Sequence, residues 1–213
     1  MKIIVFGATG DVGSRVVKEA LARGHDVAAA VRNDTGLGKL PKGVTPVIAD
    51  VADSAALATA MEGQDLAVSA LRTPAGREGE VVALTRSILN AASLAQLRVI
   101  IVGGAARLRL PDGSPHTVLT DPDFLPPNIV PTARASMAQW ELCTSEISAN
   151  WTYATPSALL RPGTRKGVFR TATNDLIVDA AGRSEISMED FATAIVGEAE
   201  KAKFPRAGFT VGY

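Results

Sequence analysis

The 213-residue sequence lacks the features that mark secreted, membrane-spanning and nucleic-acid-binding proteins. It has a single cysteine, Cys143, so it can form no internal disulfide, which is typical of a reducing cytoplasm. The 22 Lys and Arg residues balance the 22 Asp and Glu residues, so no net charge favours a nucleic acid or an anionic membrane. No apolar run approaches the ~20 residues of a membrane helix, and an apolar strand begins directly after Lys2, where a signal peptide would have to lie. We therefore expect a cytoplasmic protein with no nucleic-acid or membrane partner.

Residues 1–13 combine a short apolar run with three glycines. Ile3 to Phe6 is typical of a buried strand, and the turn Gly7-Ala8-Thr9-Gly10-Asp11-Val12-Gly13 follows at once. Apolar residues then recur at helical spacing, at Val12, Val16, Val17, Ala20 and Leu21. In this arrangement Gly7 allows the tight exit from the strand, Gly10 the approach of a pyrophosphate, and Gly13 close packing of the helix. The free N–H groups of the helix start favour phosphate, although a glycine-rich turn can also simply close a βα unit.

The spacing Gly7-x-x-Gly10-x-x-Gly13 resembles the GATGxxG motif of atypical short-chain dehydrogenase/reductases, the NAD(P)H-binding group that includes NmrA-like and flavin-reductase-like proteins. Three further motifs look like the tail of small reductases named NADH-flavin reductases or NAD-dependent epimerase/dehydratases. These motifs are W-T-x-x-x-P from Trp151, P-G-x-R-x-G from Pro162 and S-x-I-S-x-x-D-F-A from Ser184. The resemblance implies a Rossmann-like fold and a nicotinamide cofactor. In the glycine turn it implies contacts from Gly7, Thr9, Gly10, Asp11, Val12 and Gly13.

Strand and helix patterns alternate along the chain and predict an α/β fold with a doubly wound parallel sheet. Further strands are predicted at 26–31, 45–49, 66–71 and 98–102. Ligands in such sheets lie beyond the carboxyl ends of the strands. The residues at those ends are Arg32, Asp50, Val51, Ser69, Ala70, Leu71, Gly103 and Gly104. Asp50 could equally form a local turn, and the two glycines a plain strand exit. We predict one domain, 1–213, with a Rossmann core over 1–155 and a small substrate-side region over 156–213.

Arg32 occupies the position that distinguishes the two nicotinamide cofactors. It ends the second predicted strand about 20 positions after Gly13, where a Rossmann unit presents its ribose-reading side chain. An acidic residue there would bind the 2′-hydroxyl of NAD, whereas a guanidinium can make a forked contact with a 2′-phosphate. The sequence therefore favours NADP(H) over NAD(H), against the alternative of an ordinary exposed arginine. Asp34, two residues on, weakens this preference.

The stretch from Ala106 to Pro131 is rich in proline and shows no helical or strand period, so we interpret it as a long loop that covers the substrate side. A helix is predicted from Ala133 to Ser148. In the last third, Ser187 and Asp190 have the spacing of a capping box, and the family resemblance implies that Arg161 or Arg165 faces the active site. As isolated residues, both arginines are more typical of solvated loops.

The Tyr-x-x-x-Lys pair of short-chain reductases is absent, and the only tyrosines are Tyr153 and Tyr213. Thr132 and Ser136 are the only candidates for a catalytic group near that point, and they are poor acids because no lysine lowers their pKa. We expect a reductase that passes hydride to a small conjugated acceptor such as a flavin or quinone. The alternatives are a nucleotide-sensing regulator like the NmrA-like proteins, or a relative of sugar-nucleotide epimerases and dehydratases. No metal site is predicted, and the oligomeric state is left open.

Overall fold

A computed structural model describes residues 1–213, and its core is an eight-stranded sheet in the order β3-β2-β1-β4-β5-β6-β10-β8. All neighbouring strands are parallel except β8, which runs antiparallel to β10. The main-sheet strands are β1 (Lys2–Phe6), β2 (Asp26–Val31), β3 (Thr45–Ile48), β4 (Leu66–Ser69), β5 (Arg98–Val102), β6 (Trp151–Pro156), β8 (Arg170–Ala172) and β10 (Ala207–Gly212). A separate parallel pair consists of β7 (Leu159–Arg161) and β9 (Glu185–Ser187). The predicted doubly wound α/β fold is confirmed.

Helices cover both faces of the sheet. They are α1 (Asp11–Ala22), α2 (Ser54–Met61), α3 (Glu80–Leu94), α4 (Val130–Ser145) and α5 (Met188–Lys201). One buried apolar cluster packs α1 and α5 on one face, around Val16, Phe191 and Ile195. The other cluster packs α2, α3 and α4 on the opposite face, around Leu57 and Ile88. None of the helices combines the length and the apolar composition that spanning a bilayer requires.

The strand order reverses direction at β1. This strand pairs with β2 on one side and with β4 on the other, so the chain first builds the sheet outward and then crosses back. In open α/β sheets, a ligand binds in the crevice at such a switch point, beyond the carboxyl ends of the strands. Here those ends are Phe6 and Ser69, which are directly paired. The topology therefore predicts a ligand-binding crevice at the glycine turn that follows Phe6.

Helix α4 and the segment before it differ from the sequence-based prediction. The helix begins at Val130 rather than Ala133, because Pro131 fits the first turn, where its missing N–H is not needed. It ends at Ser145 rather than Ser148, since the Glu146 carboxylate accepts hydrogen bonds from the amides of Ser148 and Ala149 and forms a turn there. The stretch 106–131 is also less irregular than expected. A 3₁₀ turn occupies Ala105–Arg107.

The last third of the chain completes the sheet. Strand β10 pairs with β6, and the short strand β8 begins at Arg170 on its other side. The capping box is only half formed: the Ser187 hydroxyl accepts from the Asp190 amide at 3.0 Å. The Asp190 carboxylate turns away from the helix end and accepts from the amides of Lys166 and Gly167 and from the hydroxyl of Tyr213. It therefore holds the 162–167 segment against α5.

Candidate nucleotide-binding site

The glycine turn is built so tightly that side chains do not fit at two of its three glycines. Gly7 has a positive φ of 76°, and a Cβ there would lie 2.4 Å from the carbonyl oxygen of Ala70. A Cβ on Gly13 would lie 2.1 Å from the carbonyl oxygen of Gly7, so α1 starts in contact with the turn itself. Gly10 is different, since its Cβ would meet only the Gly7 oxygen, at 3.3 Å, and otherwise face open space. Gly10 is thus the point where another molecule can approach the backbone.

The amino end of α1 carries free hydrogen-bond donors. Gly10 is its N-cap and has no side chain to cap it. By contrast, Asp53 caps α2 through the amides of Ala55 and Ala56. The first-turn amides of α1, which an intrahelical bond cannot satisfy, therefore point toward the exposed turn together with the positive end of the helix dipole. This arrangement suits a phosphate group.

Two charged groups flank this turn. The exposed carboxylate of Asp11 lies 3.4 Å from the guanidinium of Arg72, which follows β4 in the chain. Arg15, one turn into α1, is held by Glu189 of α5 at 2.6 Å and by the Asp11 carbonyl at 2.7 Å. Arg72 can therefore offset the repulsion that Asp11 would exert on a bound phosphate. Sequence reasoning missed Arg72, since a lone arginine in a predicted loop carries no pattern.

The remaining residues predicted to contact a cofactor line the same edge of the sheet. Ser69 is buried, and its hydroxyl has no hydrogen-bond partner in the protein. Arg32 is exposed at the end of β2, close enough to Glu80 to help lower the pKa of that carboxyl, for which the main cause is a hydrogen bond from Arg77. Asp50 accepts from the Ala52 amide at 2.9 Å, the local turn that was one of its two interpretations. Thr9 and Val12 flank the glycines, Val51 is buried beside Asp50, and Leu71 follows Ala70.

A compact network lies at the end of β5. The amide of Gly103 donates to Ala154 of β6 at 2.9 Å, and the amide of Gly104 donates to the Ser136 hydroxyl at 3.0 Å. Below them, the buried hydroxyl of Tyr153 lies 3.0 Å from both the Ser136 carbonyl and the Gln139 side chain. A Cβ on Gly103 would lie 1.9 Å from the Tyr153 ring. Gly103 is therefore a glycine because a tyrosine fills the space beneath it.

The model of a family described as NAD(P)H-binding matches residues 7–202. This chain belongs to the NAD(P)H-binding family. The family assignment confirms the resemblance that the glycine motif indicated, and with it a nicotinamide cofactor.

Relatives of the NAD(P)H-binding family match the chain over its length. The protein YwnB of Bacillus subtilis is 31% identical over 99% of this chain and 98% of its own. A crystal structure of a candidate exported protein from Burkholderia pseudomallei superposes with a TM-score of 0.89 at 36% identity over all of both chains. That of a candidate NADH-flavin reductase from Streptococcus pneumoniae has a TM-score of 0.89 at 25% identity, over 100% of this chain and 99% of its own.

The residues of this NAD(P)H-binding chain fit a dinucleotide. The open approach at Gly10, the uncapped start of α1 and the unpartnered hydroxyl of Ser69 all lie along the switch-point crevice. A pyrophosphate would be held by the α1 amides, and the ends of β4 and β5 would face the rest of the molecule. A bound, reduced nicotinamide would supply a hydride there.

The remaining candidate residues are two arginines and two hydroxyl residues. Arg165 forms a 2.9 Å ion pair with Glu19 on α1, and Arg161 pairs with Glu185 at 2.5 Å, so both bind carboxylates. Thr132 is exposed in the first turn of α4 and makes no side-chain hydrogen bond, whereas Ser136, one turn on, joins the Gly104 network. Ser136 is the one of the two hydroxyls that reaches the end of β5.

Sequence reasoning also missed Arg107. This arginine is buried, and burial lowers the pKa of its guanidinium to about 10. It binds Thr155, Asn174 and the carbonyl of Thr173, and it lies 4.2 Å above the ring of Trp140. It therefore joins β6, α4 and the segment after β8 without a carboxylate partner. Its signal in the sequence is weak, since an arginine after a strand is ordinarily exposed.

Proposed function

We propose that this protein is an NADP(H)-dependent reductase that transfers hydride to a conjugated acceptor such as a flavin or a quinone. The observation that carries the proposal is the state of Tyr153. Its hydroxyl is fully buried, its proton is directed to Ser136 or Gln139, and burial raises its pKa above the usual value. The only tyrosine at the end of β5 and β6 is therefore a packing group and not a proton donor.

An acceptor that needs no positioned acid fits such a site. A flavin or quinone spreads the negative charge of an arriving hydride over its ring system, so that a proton from solvent can follow. The reaction balances as one hydride from the reduced nicotinamide and one proton from water added to the acceptor. A simple ketone instead requires an acid at its oxygen as the hydride arrives. The contribution of this chain is to hold donor and acceptor together, and such positioning can supply a large part of a barrier.

The preference for NADP(H) rests on Arg32. It is exposed at the end of β2 and belongs to none of the ion pairs that hold Arg72, Arg77 and the other arginines near the crevice. A guanidinium without a carboxylate partner is available for a 2′-phosphate, which it can bind through a fork of two N–H groups. The similar protein from Streptococcus pneumoniae is named for NADH and flavin, and the flavin in that name supports the proposed acceptor class. The same name specifies NADH, so the preference for NADP(H) rests on Arg32 alone.

The compartment and the partners belong to the same proposal. Cys143 is buried and unpaired, and burial raises the pKa of its thiol to about 12, so it is inert in a reducing environment. A free cysteine and the absence of any disulfide suit the cytoplasm. The partner is a small-molecule acceptor.

An acceptor screen tests the proposed reaction. The purified protein is mixed with NADPH and, in turn, with riboflavin, a soluble quinone, an aliphatic ketone and an aldehyde, and the absorbance of NADPH is followed. We expect oxidation of NADPH with the flavin or the quinone and little with the two simple carbonyl compounds. Rapid ketone reduction would contradict the proposal, and tight NADPH binding with no turnover on any acceptor would replace it with a sensor function.

A further inference from the structure

A cleft of about 530 Å³ lies between the 110–124 segment and the 176–184 segment. Its volume is within the range of about 300–1,000 Å³ that is usual for small-molecule sites. Its apolar lining comes from Leu110, Phe124, Ala158, Leu176 and Val178. Beneath this lining, the side chains of Leu108 and Val118 form a separate buried cluster with Leu176. The cleft therefore has a packed apolar floor and is not a gap between loose loops.

The cleft adjoins the carboxyl end of β6. The Gly103 amide is bonded to Ala154, and the chain then continues through β6 to Ala158 in the cleft wall. Four residues of extended chain span at most about 13 Å, at about 3.3 Å per residue. A tricyclic or similarly extended acceptor that contacts a nicotinamide at Gly103 would thus reach the cleft with its far end.

All the charged groups that line the cleft are acidic. They are Asp112, Asp121 and Asp123. The carboxylates of the first two accept the amides of Ser114 and Asp123, and no positive side chain pairs with any of the three. Hydrogen bonds from Ser114 hold the pKa of the Asp112 carboxyl below its usual range.

Two arginines next to the cleft are paired with carboxylates. Arg109 pairs with Asp175 at 2.8 Å, and Arg183 pairs with Asp179 at 2.8 Å. Neither pair contributes net charge. The other two cations nearby, Arg170 and the buried Arg107, bind backbone carbonyls and lie outside the lining, so the three aspartates are the only charged groups on the cleft surface. A negative potential in a partly apolar cleft repels phosphate and carboxylate groups and attracts neutral or positively charged ones.

We infer that this cleft selects acceptors without phosphate or carboxylate groups, that is, uncharged or positively charged conjugated molecules with an apolar edge. The inference rests on the proposed function, because it names the class of acceptor for the same site. Within the flavins, it selects riboflavin against FMN, which has the same ring system and an added phosphate. It also disfavours the pyrophosphate of a sugar nucleotide as a substrate in this cleft.

Direct binding of the two flavins tests the inference. Riboflavin and FMN are titrated by fluorescence against the protein in saturating NADP⁺, which permits no hydride transfer. We expect riboflavin to bind about ten-fold more tightly than FMN at low ionic strength, with a smaller ratio at high salt, as expected for charges a few ångströms apart. The double variant Asp121→Asn/Asp123→Asn keeps the turn, because an asparagine oxygen can still accept the residue-123 amide. It should bind FMN about ten-fold more tightly than the parent protein and bind riboflavin equally well.

A matched control separates a local from a general charge effect. The variant Asp26→Asn/Glu141→Gln removes the same charge from exposed residues outside the cleft lining, and we expect it to leave the flavin ratio unchanged. FMN binding as tightly as riboflavin, no binding of either flavin, or an equal effect of the two double variants would each overturn the inference. Selective riboflavin binding without NADPH oxidation would instead contradict the proposed reaction and leave the charge selection intact.

Discussion

The amide of Gly104 donates a 3.0 Å hydrogen bond to the hydroxyl of Ser136, which ties the end of β5 to α4. The bond joins two segments 32 positions apart in the chain, and a Cβ on Gly104 would lie 2.8 Å from the same oxygen. Ser136 therefore holds the backbone at the end of β5. We regard it as a positioning residue and not as an acid.

Substitution of Ser136 should distinguish these roles. In Ser136→Ala the Gly104 amide loses its acceptor, and the free energy of unfolding should fall by about 1–2 kcal/mol. The rate of flavin or quinone reduction should fall by less than about ten-fold, which corresponds to a barrier increase of less than about 1.4 kcal/mol. Thr132→Ala, one turn away on α4 and without a side-chain hydrogen bond, is the matched control and should change neither quantity. A rate loss of a hundred-fold or more in Ser136→Ala, with normal stability, would identify Ser136 as the acid. Denaturant unfolding and the NADPH assay provide both measurements.

Gly10 can be tested without loss of the fold. Gly10→Val places a branched side chain where the backbone is open, so we expect nucleotide binding to be lost while the unfolding midpoint changes little. Gly38→Val is a suitable control, because a Cβ there meets no atom within 4 Å. Calorimetric titration with NADPH measures the effect. Unchanged affinity in a folded Gly10→Val protein would exclude the α1 turn as the pyrophosphate site.

Substitution of Gly103, unlike that of Gly10, should reduce the stability of the fold. In Gly103→Ala the new methyl group would lie 1.9 Å from the ring of Tyr153, which is fully buried and cannot move away. Overpacking of this kind costs about 1–3 kcal/mol, so the urea midpoint should fall clearly. Gly38→Ala should leave it unaltered. A Gly103→Ala protein as stable as the parent would mean that the packing of Tyr153 under the strand end is wrong.

The ion pair between Arg165 and Glu19 predicts that the free energy of unfolding decreases in acid. Hydrogen bonds from Arg165, opposed by burial and assisted by Arg23, hold the pKa of the Glu19 carboxyl below its usual value. Because this pKa is lower in the folded protein, the ionised carboxylate stabilises the fold above the unfolded pKa of about 4.3, and this contribution is lost as the pH falls through the lower folded value. Glu19→Gln should lose stability at pH 7 and show a smaller decrease below pH 4. Equal acid sensitivity of the variant and the parent would contradict this role.

The fold and the nucleotide crevice were largely predictable because they depend on local patterns. The run Ile3 to Phe6 and the glycines after it determine a strand, a turn and a helix within 13 residues, and α1 starts as predicted. The bounds of β5 follow equally from the short apolar run before Gly103. Such signals need no knowledge of what lies across the sheet.

The contacts between the 105–125 and 170–180 segments could not be predicted in the same way, since they join distant parts of the chain. The buried Arg107 is satisfied by Asn174 and Thr173, and the apolar floor of the cleft joins Leu108 to Leu176. The half-formed capping box is a similar case, because the Asp190 carboxylate accepts a hydrogen bond from the hydroxyl of Tyr213, the residue after β10. Spacing along the sequence does not reveal these partners.

The nucleotide preference is the most direct test, because every later step depends on the cofactor that the crevice accepts. Calorimetry at low ionic strength should show NADPH binding more tightly than NADH, with a margin that shrinks as salt is added. Arg32→Glu should narrow or reverse the preference, since it removes an attraction and adds a repulsion at the 2′-phosphate. Equal affinities of the parent protein for NADPH and NADH, or an unchanged ratio in Arg32→Glu, would contradict the account.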